Sequence, residues 1–381
     1  MNIYLIVRGF PTKNDPQWGS FELDQAQALA AQGHKVTMLS VDVRWKSRNR
    51  KFQIKRNETL GVISYDLYCG PWVVFSLVSS NLYDFVVRWL FMILFKRVLK
   101  REGRPDVIYS HYLDSSDYAI PIKNKYKIPV VGLEHWSELG KVNPCHRAIK
   151  KAQRVYPQLD RLLVVSNALK ENIQSLIGIS SEVLPNIIGA DFILNLEGTR
   201  THGIVSFVST GNLVEIKRMD MIIKSLATVI SKGYNVEVTI VGDGQERESL
   251  QSLAHSLNIS NHVNFTGRIT RSEIVSILNN SDVYILASSS ETFGVAAAEA
   301  LACGLPIIAT DCGGPRDFMS DINGIMIPVN DEEKLTEAMI HMTEHYKDYD
   351  RSVISNDFHK RFSAEAVANQ LTNIFNQVCK K

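Results

Sequence analysis

The chain has 381 residues, 45% of them hydrophobic and 22% charged. At roughly 150 residues per domain this length implies two or three domains, and the composition excludes disorder, collagen and coiled coil as whole-chain descriptions. Forty-two basic against 40 acidic residues give +2, so global charge argues for no partner. The balance hides one local excess. Arg44 to Arg56 (RWKSRNRKFQIKR) holds seven Lys/Arg and no acid, and removing these from the total of +2 leaves −5 for the rest.

The N-terminal MNIYLIVRGF lacks the basic start and small-residue cleavage site of a signal peptide, so Ile3–Val7 reads as a buried first strand. Ser20–Gln32 reads as a helix ended by Gly33, and Lys35–Ser40 as the next strand. Pro71–Leu99 is the most lipid-like stretch. Asp84 and Arg88 interrupt it, and its longest purely apolar run, Trp89–Phe95, is far below the ~20 residues of a spanning helix. Strands at Asp106–Ser110, Pro129–Leu133 and Arg161–Val165 continue the series. The alternation predicts βαβ units and a parallel sheet.

The polar stretch Asn195–Gly203 (NLEGTRTHG) reads as a domain boundary. A second series follows, with strands at Ile204–Ser209, Val236–Val241, Val263–Phe265, Val283–Leu286 and Pro306–Ala309. Its helices are expected at Met219–Lys232, Gln245–Leu257, Arg271–Asn279 and Gly294–Cys303. Ser363–Val378 reads as a last amphipathic helix. The fold class is α/β, with two doubly wound domains facing a cleft, at 1–195 and 203–355. Residues 356–381 are expected to cross back to the first domain. Ligands of such sheets bind past the carboxyl ends of the strands.

Ser288–Thr310 (SSSETFGVAAAEALACGLPIIAT) is the most informative segment. A polar loop leads through Phe293 and Gly294 into an alanine-rich helix, and Gly304 and Pro306 end it. The free N–H groups of Gly294, Val295 and Ala296 make an anion site suited to a diphosphate. Glu291 precedes the helix and Glu299 lies inside it. A plain alternative is a helix-dipole acid plus a solvated glutamate, but a carboxylate among alanines needs a partner.

The pattern Ser288, Glu291, Phe293, Gly294, Glu299, Ala300, Ala302, Gly304, Pro306 resembles glycosyltransferase family 4, retaining enzymes of the GT-B architecture. The resemblance implies that Glu291 contacts the donor sugar, that Glu299 holds the ribose hydroxyls, and that the backbone around Phe293, Gly294 and Val295 meets the diphosphate. TGNLVEIKRMD resembles the family's G-R-L-x-x-x-K. Lys217 matches its lysine, Asn212 stands where many members have arginine, and Arg218 would assist Lys217. VGDG (Gly242, Gly244) resembles the element beside the nucleotide and fails as a dinucleotide fingerprint. FTGRI (Gly267, Arg268, Ile269) resembles the loop that reads the base, and Asp317 in CGGPRD takes a structural part. Gly19 resembles the glycine turn facing phosphates and acceptor, and His135 the histidine near the reacting sugar, with His111 the weaker candidate.

The implied activity is sugar transfer from a nucleotide-diphosphate sugar, UDP favoured, to a glycan or lipid-linked acceptor in cell-surface polysaccharide synthesis. No D-x-D or His/Cys cluster offers a metal site, and no cofactor beyond the donor is implied. The five cysteines are widely spaced without C-x-x-C, as for reduced thiols in a reducing compartment. The basic run, with Lys96, Arg97, Lys100 and Arg101 after the apolar stretch, suits an anionic membrane surface. A solvated loop and a buried helix are the alternative. No nucleic-acid module is present. A nucleotide-sugar epimerase or hydrolase, and a non-catalytic sensor, are the competing functions.

Overall fold

A computed structural model describes residues 1–11, 18–44, 52–70, 80–141, 144–195 and 203–380. The chain forms two compact units: Met1–Val165 with Leu169–Ile187 and Ala364–Lys381, and Ser166–Ala168 with Ile188–Ser363.

In chain order the first unit contains β1 (Asn2–Ile6), α1 (Ser20–Ala31), β2 (Lys35–Asp42), β3 (Gln53–Thr59), β4 (Val62–Tyr68), α2 (Ser80–Glu102), β5 (Val107–His111) and α3 (Tyr112–Tyr126). It continues with β6 (Val130–Glu134), α4 (His146–Val155), β7 (Arg161–Val164), most of α5 (Asn167–Ile177) and β8 (Glu182–Val183). The second unit carries β9 (Val205–Thr210), α6 (Met219–Ser231), β10 (Val236–Val241), α7 (Arg247–Ser256), β11 (Val263–Gly267), α8 (Arg271–Asn280) and β12 (Val283–Leu286). There follow α9 (Val295–Ala302), β13 (Ile307–Thr310), β14 (Gly324–Ile327), α10 (Glu332–His345) and α11 (Arg351–Phe362). Helix α12 (Ala364–Cys379) belongs to the first unit again.

The first sheet has the order β3-β4-β2-β1-β5-β6-β7-β8, parallel except for β3, which runs antiparallel to β4. The second is wholly parallel, in the order β11-β10-β9-β12-β13-β14. Parallel strands covered on both faces read as continuous apolar runs, which is why β1 and β12 were legible. The direction of winding reverses between β1 and β5 in one sheet and between β9 and β12 in the other. At such reversals the loops diverge and leave a crevice.

The pair β3–β4 is the main element that periodicity missed. The basic run, read as a membrane footing with a solvated loop as the alternative, contributes Lys55 and Arg56 to β3. Arg56 is fixed by Glu102 at 3.3 Å and Glu58 at 3.1 Å. Arg44 pairs with Asp42 at 3.1 Å. Residues 45–51 of that run, and 71–79 of the apolar stretch, lie outside the described residues.

The unit boundaries also differ from 1–195, 203–355 and 356–381. Helix α11 packs wholly on the second unit. Ser355 Oγ donates to the Ala302 carbonyl at 2.7 Å, Arg351 Nη2 to that of Cys303 at 3.0 Å, and Phe358 and Phe362 pack edge-on against Phe318. The return therefore begins after Phe362. Ile188–Asn195 joins the second unit because Asn279 ties it down, donating to Ile193 O and accepting from Asn195 N. Helix α12 packs on the first unit as expected, with Phe375 edge-on to Tyr109 and Thr372 at 2.9 Å from the His34 ring.

Candidate donor and acceptor sites

In the second unit the loops after β9 and β12 meet at the reversal. The first makes a short turn at Glu215–Lys217 and enters α6 through Arg218. The second runs Ala287–Gly294. Ser289 N donates to Ile216 O at 2.8 Å and clips the two together. Across this junction Lys217 Nζ donates to Glu291 Oε1 at 2.5 Å, and Ser288 Oγ donates to the same oxygen at 2.7 Å. The Glu291 backbone is held independently: its N–H reaches Cys312 O and its carbonyl accepts from Gly314 N, both at 2.9 Å. The carboxylate is thus positioned by β12 and β13 together.

Helix α9 starts one residue later than expected. Gly294 is its N-cap, in the left-handed region at φ 91°, where only glycine is unstrained. The side chain before it, Phe293, is buried against Phe318 and Phe362 and fixes the entry. Val295 opens the helix with its N–H among the unsatisfied donors of the first turn. Glu299 is half-buried a turn and a half inside α9, and burial with the Glu299 charge nearby pushes the Cys303 thiol up to about 12.

Neighbouring loops close around this junction. Gly242 N donates to Gly267 O at 3.0 Å, and a Cβ on Gly242 would lie 1.9 Å from Gly211 O, so only glycine fits. Gly244 is equally tight against Leu213 O. Gly267 ends β11; Arg268 after it is exposed and Ile269 half-buried. Asn212 is exposed.

Arg218, expected to assist Lys217, is engaged by partners of its own. It adopts φ 51°, and its guanidinium is bound to Asp220 at 3.1 Å and to Asn330. It lines an open cavity of about 880 Å³ with Glu215, Ile216, Lys224 and Ser289, which borders the junction. Asp317 accepts from Asn167 N at 2.7 Å and ties in the start of α5. Among the described residues, no cluster of three His, Cys, Asp or Glu could hold a metal ion.

In the first unit the loops after β1 and β5 flank the other reversal. Gly19 is in the left-handed region at φ 78° as the N-cap of α1. His111 ends β5 rather than following it, and its Nδ1 lies 3.1 Å from His135 Nε2 with the rings stacked. One histidine donates and the other accepts. His135 Nδ1 and His111 Nε2 are buried without a hydrogen bond of normal geometry. Tyr112, at φ 70°, stacks on His135, and Arg8 lies over the Tyr112 ring at 3.7 Å while bonding Glu22 at 3.1 Å. Glu134 accepts from His135 N, Trp136 N and Tyr156 Oη and so fixes the loop that carries His135.

Arg8, Glu22, Gln25 and Tyr112 were not singled out in the sequence. The available signal was Glu22 and Gln25 on the apolar side of α1, both fully buried. Polar residues on a buried helix face need partners or a ligand.

Burial holds both histidines neutral. It lowers His135 to about 3 and His111 well below its ordinary value, with Arg8 adding to both shifts and the Asn186 amide opposing part of that on His135. Their contribution to stability is complete above the unfolded value of about 6.5. It is lost as pH falls towards the depressed folded values, by about 1.4 kcal/mol per pH unit per histidine. Glu134, raised by burial, acts in the opposite sense. Between pH 7 and 5 the His111→Asn chain is expected to lose less stability than the parent. Urea unfolding at the two pH values checks this; equal losses would contradict a neutral His111.

Comparison with known proteins matches residues 203–356 to the family "Glycosyl transferases group 1" and residues 22–192 to "Glycosyltransferase Family 4". A D-inositol 3-phosphate glycosyltransferase of Saccharomonospora viridis is 24% identical over 319 residues, covering 75% of this chain and 73% of that protein. The lipopolysaccharide core biosynthesis glycosyltransferase LpsE of Rhizobium meliloti is 33% identical over 133 residues, 35% of this chain and 37% of its own. The crystal structure of Anabaena HepE in complex with UDP superposes with a TM-score of 0.72 at 17% identity, covering 99% of this chain and 100% of that one. The two matched regions, the two parallel α/β units and the glutamate pair at the second reversal agree: this chain belongs to the GT-B glycosyltransferases of the family 4 type.

Proposed function

We propose that this glycosyltransferase moves a sugar from a UDP-sugar to a glycan or lipid-linked glycan of a cell-surface polysaccharide. It does so with retention of anomeric configuration and without a metal ion, on the cytoplasmic face of the membrane. The observation that carries the reading is the Lys217–Glu291 pair at the β9/β12 reversal. It puts a cation and a sugar-binding carboxylate side by side, next to the N-terminus of α9. As the donor's glycosidic bond breaks, negative charge grows on the departing diphosphate. Lys217 and the first N–H groups of α9 are preorganised to receive it. Glu291 keeps its second oxygen, Oε2, for sugar hydroxyls while Oε1 orients the lysine. No covalent nucleophile is assigned, and the carboxylates act in donor binding. The printed role of the Rhizobium relative, in lipopolysaccharide core biosynthesis, supports a glycan or glycolipid acceptor, and the Anabaena complex supports UDP.

The test is NMR of product formed from UDP-sugars in EDTA. An α-linked product from an α-linked donor is expected. Inversion, or activity only with added metal, would overturn the mechanism; free sugar formed equally well without acceptor would favour a hydrolase.

A further inference from the structure

Helix α2 carries two apolar faces, and only one meets the core. Val87, Leu90, Phe91, Leu94, Phe95 and Val98 are buried against the first sheet. On the other side Leu82, Phe85, Trp89 and Ile93 are 44%, 63%, 57% and 38% exposed. Their spacing of three, four and four puts them in one line about 17 Å long. Large apolar groups in such a line are costly in water unless something covers them.

Charge says what does. The line continues into Lys96 and Lys100, with Arg97 beside them, all exposed. Among the described residues no carboxylate lies within ion-pair distance of these three. The two acids of α2 are already engaged, Asp84 with Lys151 at 3.2 Å and Glu102 with Lys35 and Arg56, each at 3.3 Å. Near Asp84, Arg147 of α4 is 61% exposed and lies 3.8 Å from that carboxylate. An apolar line that runs into three exposed cations with no described carboxylate beside them matches the apolar boundary and anionic headgroups of a bilayer. A second copy fits less well, because both acids of its α2 are already engaged and it offers no free carboxylate of that helix to these cations.

We propose that this face of α2 is the membrane-docking surface and lies flat on anionic phospholipid. The proposal rests on the peripheral-membrane part of the function above and names the surface that performs it. It names α2 rather than the basic run, of which Arg44 and Arg56 are held by Asp42 and Glu102 and residues 45–51 lie outside the described residues.

The experiment is co-sedimentation of the full chain with phosphatidylcholine vesicles, with and without phosphatidylglycerol. The parent chain is expected to bind the anionic vesicles at least about tenfold better than the neutral ones. Phe85→Ser/Trp89→Ser should lose at least about tenfold of that binding, and Lys96→Gln/Lys100→Gln should lose the preference for phosphatidylglycerol. All should keep the parent melting temperature, since these side chains are exposed. If Phe85→Ser/Trp89→Ser binds anionic vesicles like the parent, the α2 surface is wrong while peripheral association stands. If the parent binds neither vesicle, both fall. If the apolar variant converts a dimer to a monomer and leaves vesicle binding unchanged, a second copy covers the face and the proposal is overturned.

Discussion

Glu291→Ala is expected to lower kcat/KM for the donor by at least about 10²-fold, since a hydrogen bond to a charged group contributes roughly 1.5–3 kcal/mol and the carboxylate makes several. The loss should fall on kcat more than on nucleotide affinity. The reason lies in the two oxygens. Oε1 anchors Lys217 at 2.5 Å and Ser288 at 2.7 Å. On the proposed function, alanine therefore removes a sugar contact and also frees the lysine that would face the leaving group. The loop itself should survive, because Cys312 and Gly314 hold the Glu291 backbone. Lys217→Ala should be similarly damaging, and the double variant should cost less than the two single losses combined, since the pair acts as a unit. Steady-state kinetics of the three variants check this. Additive losses would mean that Lys217 and Glu291 work separately.

Much of the second unit was legible because its strands are short apolar runs bounded by glycine-rich turns. Strands β10 and β12 match their expected residues fully, and β11, β13, α6 and α8 deviate by at most two residues at an end. The Ser288–Pro306 segment was legible for a different reason: alanines, two glutamates and two helix-ending residues leave few ways to fold. The first unit was harder to read. Strand β3 is polar and largely exposed, and its only sequence signature, a run of cations, is also that of a loop. The fate of Arg218 was hidden because Asn330 is 112 residues away and Asp220 lies on the helix that Arg218 caps. The pairing of His111 with His135 needs the β5–β6 register, which sets His111 opposite Leu133. The outward face of α2 was hidden as well. Hydropathy marks both of its sides as apolar and only burial separates them.

Glu299→Ala is expected to weaken binding of the nucleotide itself, by about 10- to 100-fold. Ribose hydroxyls donate to a carboxylate, and a charge-assisted bond of that kind has no substitute in an alanine-rich helix. Glu299→Gln, which keeps one acceptor oxygen and the side-chain shape, should fall between alanine and the parent. Glu291→Ala should leave nucleoside diphosphate binding nearly intact. Calorimetric titration of UDP into the parent, Glu299→Ala and Glu291→Ala in EDTA reads this directly. The account predicts binding by the parent, weakening in Glu299→Ala and near-parent affinity in Glu291→Ala. Equal UDP affinity in the parent and Glu299→Ala, or no binding by the parent of UDP, GDP or ADP, would contradict a nucleotide site at α9.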